Sequence, residues 1–336
     1  MDLQILWFLL IVILFTGFFF LEGFDYGVGM TLPFISSSEN NRTLIINTIA
    51  PVWDGNEVWM ITAGGALFAA FPHVYATMFS TFYLALFLML LGLILRGAGL
   101  ELRSKHESYT WRRLWDWAIC LGSALPAFLW GVAITNLLCG LPINDRMIYM
   151  GTFYDLLTPY TIVGGITFLL VFFFHGLAFL HLRLVEGSLT HRMHDWAVRE
   201  GALTIFFFLV CIAMTWTLTD LFRSQLAAGL LFGAAICFVF AYLASFQRRD
   251  IPAFIGSSLA IACTTAAFFA GLFPRLMVSS LQPEWSLTIY NASSTPYTLT
   301  IISIAALCLV PIILLYQGWS YWIFRKRLSR KDLELY

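Results

Sequence analysis

Residues Leu3–Met30 read LQILWFLLIVILFTGFFFLEGFDYGVGM, an apolar run followed by Glu22 and Asp25. A helix needs about 20 apolar residues to cross the roughly 30 Å of hydrocarbon in a bilayer. The first part of the stretch has that length and predicts a transmembrane helix near residues 3–22. An ionisable group close to hydrocarbon is costly unless it is paired or hydrated, so the two acids indicate a site for ions or protons.

The whole chain shares this apolar character. Its 336 residues are 60% hydrophobic and 11% charged, and the mean hydropathy is +0.82. A soluble domain would have about 25% charged residues. The composition therefore predicts an all-α, polytopic membrane protein, and a net charge of zero gives no indication of nucleic-acid binding. Since the first basic residue is Arg42, the first apolar run does not resemble a signal peptide and is expected to be retained.

Nine stretches have the length and composition of membrane-spanning helices. They lie in a single integral-membrane domain, 1–336, near residues 3–22, 54–72, 74–96, 116–137, 160–181, 201–219, 226–246, 252–273 and 298–324. Two four-helix bundles with the ninth helix at the periphery would accommodate this number. The fragments FFFLEG (Phe18–Gly23) and FFFHG (Phe172–Gly176) give weak support for a parallel repeat of the two halves.

The lysines and arginines orient these helices. If the N-terminus lies outside, 16 of the 19 basic residues fall in cytoplasmic segments, and only Arg146, Arg223 and Arg275 fall outside. Cytoplasmic segments of membrane proteins carry such an excess of positive charge. We therefore expect an outer N-terminus and a cytoplasmic C-terminus.

Two pairs of acids reach the same depth in this topology. Glu22 and Asp25 follow the first span, and Asp54 and Glu57 begin the second, in WDGNEVWM. A spacing of three places both members of a pair on one helix face. Arg96, at the end of the third span, is expected at the same level, as an ion-pair partner that separates the pKa values of the crowded carboxyl groups. The four acids are the candidate proton pathway, and Arg96 is the residue that tunes their pKa values.

Other interpretations of the acids are possible. Asp54 could be the N-cap of the second span, with Glu57 as its capping-box partner. Gly23, Gly27 and Gly29 indicate either an unwound backbone or close helix packing around the first pair. An unwound helix would favour a secondary transporter or cation channel that uses the acids as a coupling site. A purely structural subunit, in which the acids only cap helices and form ion pairs, is a further alternative.

Neither the histidines nor the cysteines form a recognisable ligand set. His175 and His181 lie on different faces of the fifth span, and His191 and His194 are expected in a cytoplasmic loop. The six cysteines are scattered without a CxxC pair. We expect no catalytic residue, no metal site and no bound cofactor in this chain.

Six motifs occur in an order that can be compared with known families. They are FLEGFDYGVGM (Phe20–Met30), INTIAPVWDGNEVWMITAGGALFAAFP (Ile46–Pro72), LRG (Leu95–Gly97), WRRLWDW (Trp111–Trp117), SLTIYNASST (Ser286–Thr295) and VPIILLYQGWSYW (Val310–Trp322). Together they resemble subunit II of cytochrome bd ubiquinol oxidase, and the resemblance extends from the first span to the last.

This resemblance implies a nine-helix protein of the bacterial cytoplasmic (inner) membrane. In that family, subunit I carries two b-type hemes and heme d, oxidises quinol and reduces oxygen to water. Subunit II has no heme and pairs with subunit I. Aspartates matching Asp25 and Asp54 belong to a cytoplasmic proton path in the family, whereas Glu22 and Glu57 match its pattern less strictly.

The resemblance also implies further partners. A small single-helix accessory subunit accompanies some family members, and some hold a structural quinone in subunit II. Quinol is the substrate of the complex, and the lipid bilayer surrounds it. No nucleic acid is expected as a partner.

Overall fold

The computed structural model describes residues 2–35, 38–185, 187–329, 331 and 333, most of which are helical. The helices are α1 (Leu3–Ile35), α2 (Glu39–Ile49), α3 (Trp53–Ala70), α4 (Pro72–Thr81), α5 (Tyr83–Leu102), α6 (Tyr109–Cys139), α7 (Pro159–Arg183), α8 (Ser188–Leu218), α9 (Gln225–Phe246), α10 (Asp250–Leu272) and α11 (Pro296–Ile323). Strands β1 (Arg275–Met277) and β2 (Leu287–Thr288) pair antiparallel between α10 and α11. The predicted all-α class is confirmed.

Eight helices in the described part of the chain are long and apolar enough to cross a membrane. They are α1 and α5 to α11. The predicted second span corresponds to α3, which has 18 residues and starts with the polar sequence WDGNE. It is not among these eight. A multi-pass membrane protein is therefore supported, while a ninth span and the division into two bundles stay predictions.

Two helices differ from the ranges expected from hydropathy. The first runs for 33 residues, to Ile35, because its second half is apolar apart from the two acids and is almost entirely buried. The predicted span 74–96 is divided at Phe82 into α4 and α5. Phe82 has φ −95° and ψ 16°, and its N–H donates to the Met78 carbonyl at 2.9 Å. Hydropathy does not reveal this interruption, because apolar residues such as Phe79 and Leu84 continue on both sides of it.

The long helix α1 lies at the centre of the molecule and packs against α3, α6, α7 and α10. It approaches α7 most closely at Gly27 and Gly176, where a Cβ on Gly27 would lie 2.7 Å from the Cα atom of Gly176. The two fragments proposed as a repeat thus belong to helices in direct contact. The expected close packing of the glycines in α1 is confirmed, and the expected unwinding is wrong, because α1 is continuous.

The peripheral position of α11 leaves most of its surface exposed. Leu299 is its one buried residue. Its contacts with the bundle include the indole of Trp7, which donates to Ser303 Oγ at 2.9 Å. After α11 the chain returns to the end of α7, where the Val185 N–H donates to the Leu328 carbonyl at 3.0 Å.

Candidate functional site

Arg96 of α5 is fully buried and binds two carboxylates from different helices. Its Nη1 donates to Glu22 of α1 and, at 2.7 Å, to Oε1 of Glu57 of α3. The guanidinium also lies 5.1 Å from the ring centroid of Tyr26 and 5.9 Å from that of Trp53. Aromatic faces attract a cation. Arg96 thus joins one acid of each pair, Glu22 and Glu57.

Asp25 does not form an ion pair with Arg96 and is held by an amide instead. Asn56 Nδ2 of α3 donates to Asp25 Oδ2 at 2.6 Å. The Oδ1 atom of Asn56 in turn accepts from the Tyr321 hydroxyl at 2.7 Å and from Gln317 Nε2 at 3.4 Å. Both of these residues lie on α11, and Trp59 Nε1 of α3 donates to Gln317 Oε1 at 2.8 Å. A hydrogen-bonded chain thus connects Asp25 to the peripheral helix.

Burial increases step by step from Asp54 to the interior. Asp54 is exposed in the first turn of α3, and the Glu57 side chain is 20% exposed. Glu22 and Asp25 are fully buried. Asp54 therefore lies at the surface of α3, and Glu22 and Asp25 lie at the centre of the bundle.

The charges of this cluster do not balance within the chain. Glu22, Asp25 and Glu57 face a single guanidinium, so neutrality requires that two of the three carboxyl groups hold a proton. Glu22 Oε2 and Asp25 Oδ1 are buried and have no hydrogen-bond partner in the described structure. Uncompensated buried charge is costly, so the protonation of the cluster depends on its surroundings.

The capping interpretation of Asp54 and Glu57 is wrong. The N-cap of α3 is Val52, which has no side-chain capping bond, and Asp54 lies one position inside the helix from Trp53. Glu57 turns toward Arg96 instead of the start of its own helix. An acid in the first turn still interacts favourably with the helix dipole, which gives Asp54 a modest structural role.

A second group of charges, which the sequence analysis missed, fastens α2 to the bundle. Asp116 of α6 is fully buried and accepts from Arg103 Nε at 2.6 Å. It also forms an ion pair with Arg42, whose Nε lies 3.1 Å from Asp116 Oδ2. Arg103 also binds Glu39 Oε1 at 2.8 Å, and Arg112 binds the same oxygen at 3.2 Å. The motif WRRLWDW contained the signal, since Asp116 lies among arginines in an otherwise apolar segment.

Glu39 of this second group lies outside the membrane-spanning helices. Its partial burial opposes ionisation, but the guanidinium groups of Arg103, Arg42 and Arg112 outweigh burial and hold the pKa of Glu39 below its usual value. The carboxylate is thus charged over a wider pH range in the folded protein than in the unfolded chain. The ion pairs around it depend on that charge.

Two of the histidines, His191 and His194, lie elsewhere than the sequence predicts. His175 is buried, and its ring nitrogens lie 2.8 Å from Ser257 Oγ and 3.1 Å from the Phe20 carbonyl, so both have partners within the chain. His191 and His194 are not in a loop but in the first turns of α8, and the His194 ring lies 6.4 Å from that of His181. Over the described residues, no three His, Cys, Asp or Glu side chains are grouped to hold a metal ion.

The family of the chain follows from its similarity to known proteins. Residues 3–324 match the family model of cytochrome bd terminal oxidase subunit II. The chain belongs to this family. Cytochrome bd ubiquinol oxidase subunit 2 of Bacillus subtilis (strain 168) is 42% identical over 333 residues, which cover 98% of both chains. Cytochrome bd-I ubiquinol oxidase subunit 2 of Escherichia coli (strain K12) is 37% identical, with 99% of this chain and 97% of the relative covered. The family predicted from the six motifs is confirmed.

A solved structure supports the fold of this family member. A chain of the bd oxidase from Geobacillus thermodenitrificans superposes with a TM-score of 0.78 over 97% of this chain and 100% of its own length. The two sequences are 16% identical, so the likeness concerns the fold alone.

Proposed function

We propose that this chain is the heme-free subunit II of a bd-type quinol:oxygen oxidoreductase in a bacterial cytoplasmic membrane. It stabilises a heme-bearing subunit I and conducts protons from the cytoplasm toward the oxygen-reducing site. Subunit I would hold two b-type hemes and heme d. Each oxygen molecule reduced to water consumes four protons. If those protons come from the cytoplasm, the reaction contributes to the proton-motive force.

The graded burial of the acids supports the proton path most strongly. Asp54 is exposed, Glu57 is partly exposed, and Glu22 and Asp25 are buried without a full set of hydrogen bonds. Carboxyl groups arranged in this order can pass a proton from the surface to the interior. Arg96 holds Glu22 and Glu57 together, while Asn56 positions Asp25.

The stabilising role is supported by the surface of α3. Gly55, next to Asp54, has no atom of another element within 4 Å of the position where a Cβ would be, so this face of α3 is not packed within the chain. Gly64 and Gly65, on other sides of the helix, are equally open and line an apolar groove. Small residues allow close helix approach in membranes. We assign this face to subunit I, which would then lie next to Asp54 and Glu57. A small single-helix accessory subunit is a further partner of the complex.

A structural quinone would fit an apolar groove beside this face. The groove has a volume of about 700 Å³ and is lined by α1, α3, α4, α5, α6, α10 and β1. Its walls, including Phe15, Met78 and Trp130, have the chemistry that an isoprenoid chain requires. No substrate role is assigned to this quinone, since quinol oxidation belongs to subunit I.

The transporter alternative loses its main support. It required a broken helix around Gly23, Gly27 and Gly29, and α1 is continuous there. The alternative of a purely structural subunit is separated from proton conduction by the variants below.

The test uses the intact complex, purified through an affinity tag on this chain. A larger partner with b-type and d-type bands in the reduced-minus-oxidised spectrum is expected. Asp25→Asn and Asp54→Asn preserve shape and remove the titratable group, and each should slow quinol-driven oxygen consumption by about tenfold or more. The heme bands should be unchanged. Asp145→Asn, at an exposed loop position, is the matched control and should have full activity.

Two results would contradict the proposal. A heme-free chain that purifies alone would remove the oxidase assignment. Full oxygen consumption in both aspartate variants, with hemes present, would remove the proton path and leave the structural subunit as the better explanation.

A further inference from the structure

A polar cavity of about 120 Å³ lies at the end of the bundle that is predicted to face the cytoplasm, away from the carboxylate cluster. Its polar walls come from α7, α8, the α9–α10 turn and the C-terminal segment. They are His181, Thr190, His191, His194, Ser245, Arg248, Asp250 and Arg327. Two guanidinium groups and three imidazoles thus surround one carboxylate. The guanidinium groups outnumber the carboxylate, and the imidazoles offer N–H donors, so the cavity favours a negatively charged ligand.

The backbone of Arg248 is held in an unusual conformation that directs its side chain to this cavity. Its φ is +57°, and it occupies the position after the C-cap of α9, where glycine is favoured. The N–H groups of Arg248 and Arg249 donate to the carbonyls of Ser245 and Ala244, both at 2.9 Å, as in a Schellman motif. An arginine at a position that favours glycine indicates that the guanidinium itself is useful there.

The other cation of the cavity is supplied from the end of the chain. Leu184 and Leu328 form a β-bridge, and Arg183 Nη1 donates to the Lys326 carbonyl at 2.7 Å. These contacts hold the segment after α11 against the end of α7. Arg327 is thereby placed 3.6 Å from Asp250 and beside the cavity.

Two helix N-termini add to the positive potential. Thr190 lies in the first turn of α8, and Asp250 is the first residue of α10. Helix N-termini favour anions because their N–H groups are unpaired and the helix dipole is positive there. A cation site does not fit, since the Arg248 guanidinium lies 2.9 Å from His191 Nδ1 and occupies the place where a metal would bind that ring.

We propose that this cavity binds a phosphate group. Guanidinium and imidazole N–H donors with helix N-termini are the groups that recognise phosphate oxygens. The phosphate could belong to an anionic lipid of the inner leaflet or to free phosphate in the cytoplasm, and both present the same chemistry to Arg248 and Arg327. The site is independent of the proposed proton path.

The test measures phosphate binding by the purified complex in detergent. Phosphatidylglycerol is added and detected on the complex by native mass spectrometry, with diacylglycerol as the ligand without phosphate. Inorganic phosphate is followed separately by ³¹P NMR line broadening. Arg248→Gly removes the guanidinium at a position where glycine is favoured, so the fold should be kept. It should weaken binding by roughly tenfold, the loss expected for one charge-assisted contact.

Control variants make the outcome decisive. Arg327→Gln should weaken binding similarly, whereas Arg249→Gln, next to Arg248 but outside the cavity, should not. Binding of phosphatidylglycerol but not diacylglycerol supports a lipid phosphate, and binding of inorganic phosphate alone supports a soluble one. If neither probe binds, or if Arg248→Gly binds both as tightly as the wild type, the proposal is overturned.

Discussion

Asn56 is the residue on which the arrangement of the carboxylate cluster depends most. It donates to Asp25 through Nδ2 and accepts from Tyr321 through Oδ1, so it connects the centre of the bundle to α11. The sequence predicted the acids and Arg96, because charges in apolar segments are conspicuous. It could not predict Asn56 and Tyr321 as partners, since 265 positions separate them along the chain and only the fold brings them together.

Tyr321→Phe tests this connection. The change removes the hydroxyl that donates to Asn56 and leaves the ring in place, so Asn56 is held less firmly against Asp25. Loss of one hydrogen bond of about 0.5–1.5 kcal/mol predicts a roughly twofold to tenfold slower oxygen consumption. Tyr316→Phe, on an exposed part of the same helix, is the control and should have no effect. Equal rates for Tyr321→Phe and the wild type would show that the connection is not used.

At the scale of the helix, hydropathy predicts where apolar helices are and says less about how they end. The predicted ranges and the observed helices overlap throughout, but α1 extends 13 residues beyond the predicted Glu22 and the third range is split at Phe82. In both cases tertiary packing decides the boundary. The crossing of α1 and α7 is different, because small residues such as Gly27 mark it in the sequence.

Gly27→Ala tests the importance of this crossing. A Cβ there would lie 2.7 Å from backbone atoms of Gly176, which cannot move as a flexible side chain can. Overpacking of this kind costs about 1–3 kcal/mol. We expect a lower Tm of the purified complex. Gly229→Ala, where no atom lies within 4 Å of the added Cβ, should keep the wild-type Tm or raise it. Similar Tm values for both variants would contradict the close approach.

The short helix α2 should be attached in a pH-dependent way. The pKa of Glu39 is lowered in the folded protein by its three arginine partners, so its contribution to stability is complete above the unfolded pKa of about 4.3. The contribution is lost as the pH falls through the lower folded pKa. Glu39→Gln should therefore reduce Tm at pH 6, and the difference from the wild type should shrink below pH ~4.

The exposed Glu284→Gln is the control for this pH series, because it changes the same charge without an ion pair in the described structure. It should match the wild-type Tm at every pH. A Glu39→Gln difference that grows toward low pH would show that the sign of the linkage is wrong.

At the scale of the whole molecule, the carboxylate cluster and the proposed phosphate-binding cavity are assigned separate functions. The carboxylate cluster lies where α1, α3, α5 and α11 meet, beside the unpacked face of α3 that we assign to subunit I. The distribution of lysine and arginine predicts that this end of the molecule faces the cytoplasm. Sequence motifs predicted the family, and the family model and the similar subunits confirm it. The proton route from the cluster into subunit I depends on a second chain, and we predict it from the proposed function.

Proton uptake during a single turnover tests the central claim most directly. The fully reduced complex is mixed with oxygen in the presence of a pH-indicating dye, and proton uptake is followed together with heme oxidation. For Asp25→Asn we predict uptake slowed by about tenfold or more, with normal heme content and normal oxygen binding, while Asp145→Asn behaves as the wild type. Uptake at the wild-type rate in Asp25→Asn would contradict a proton path through this chain.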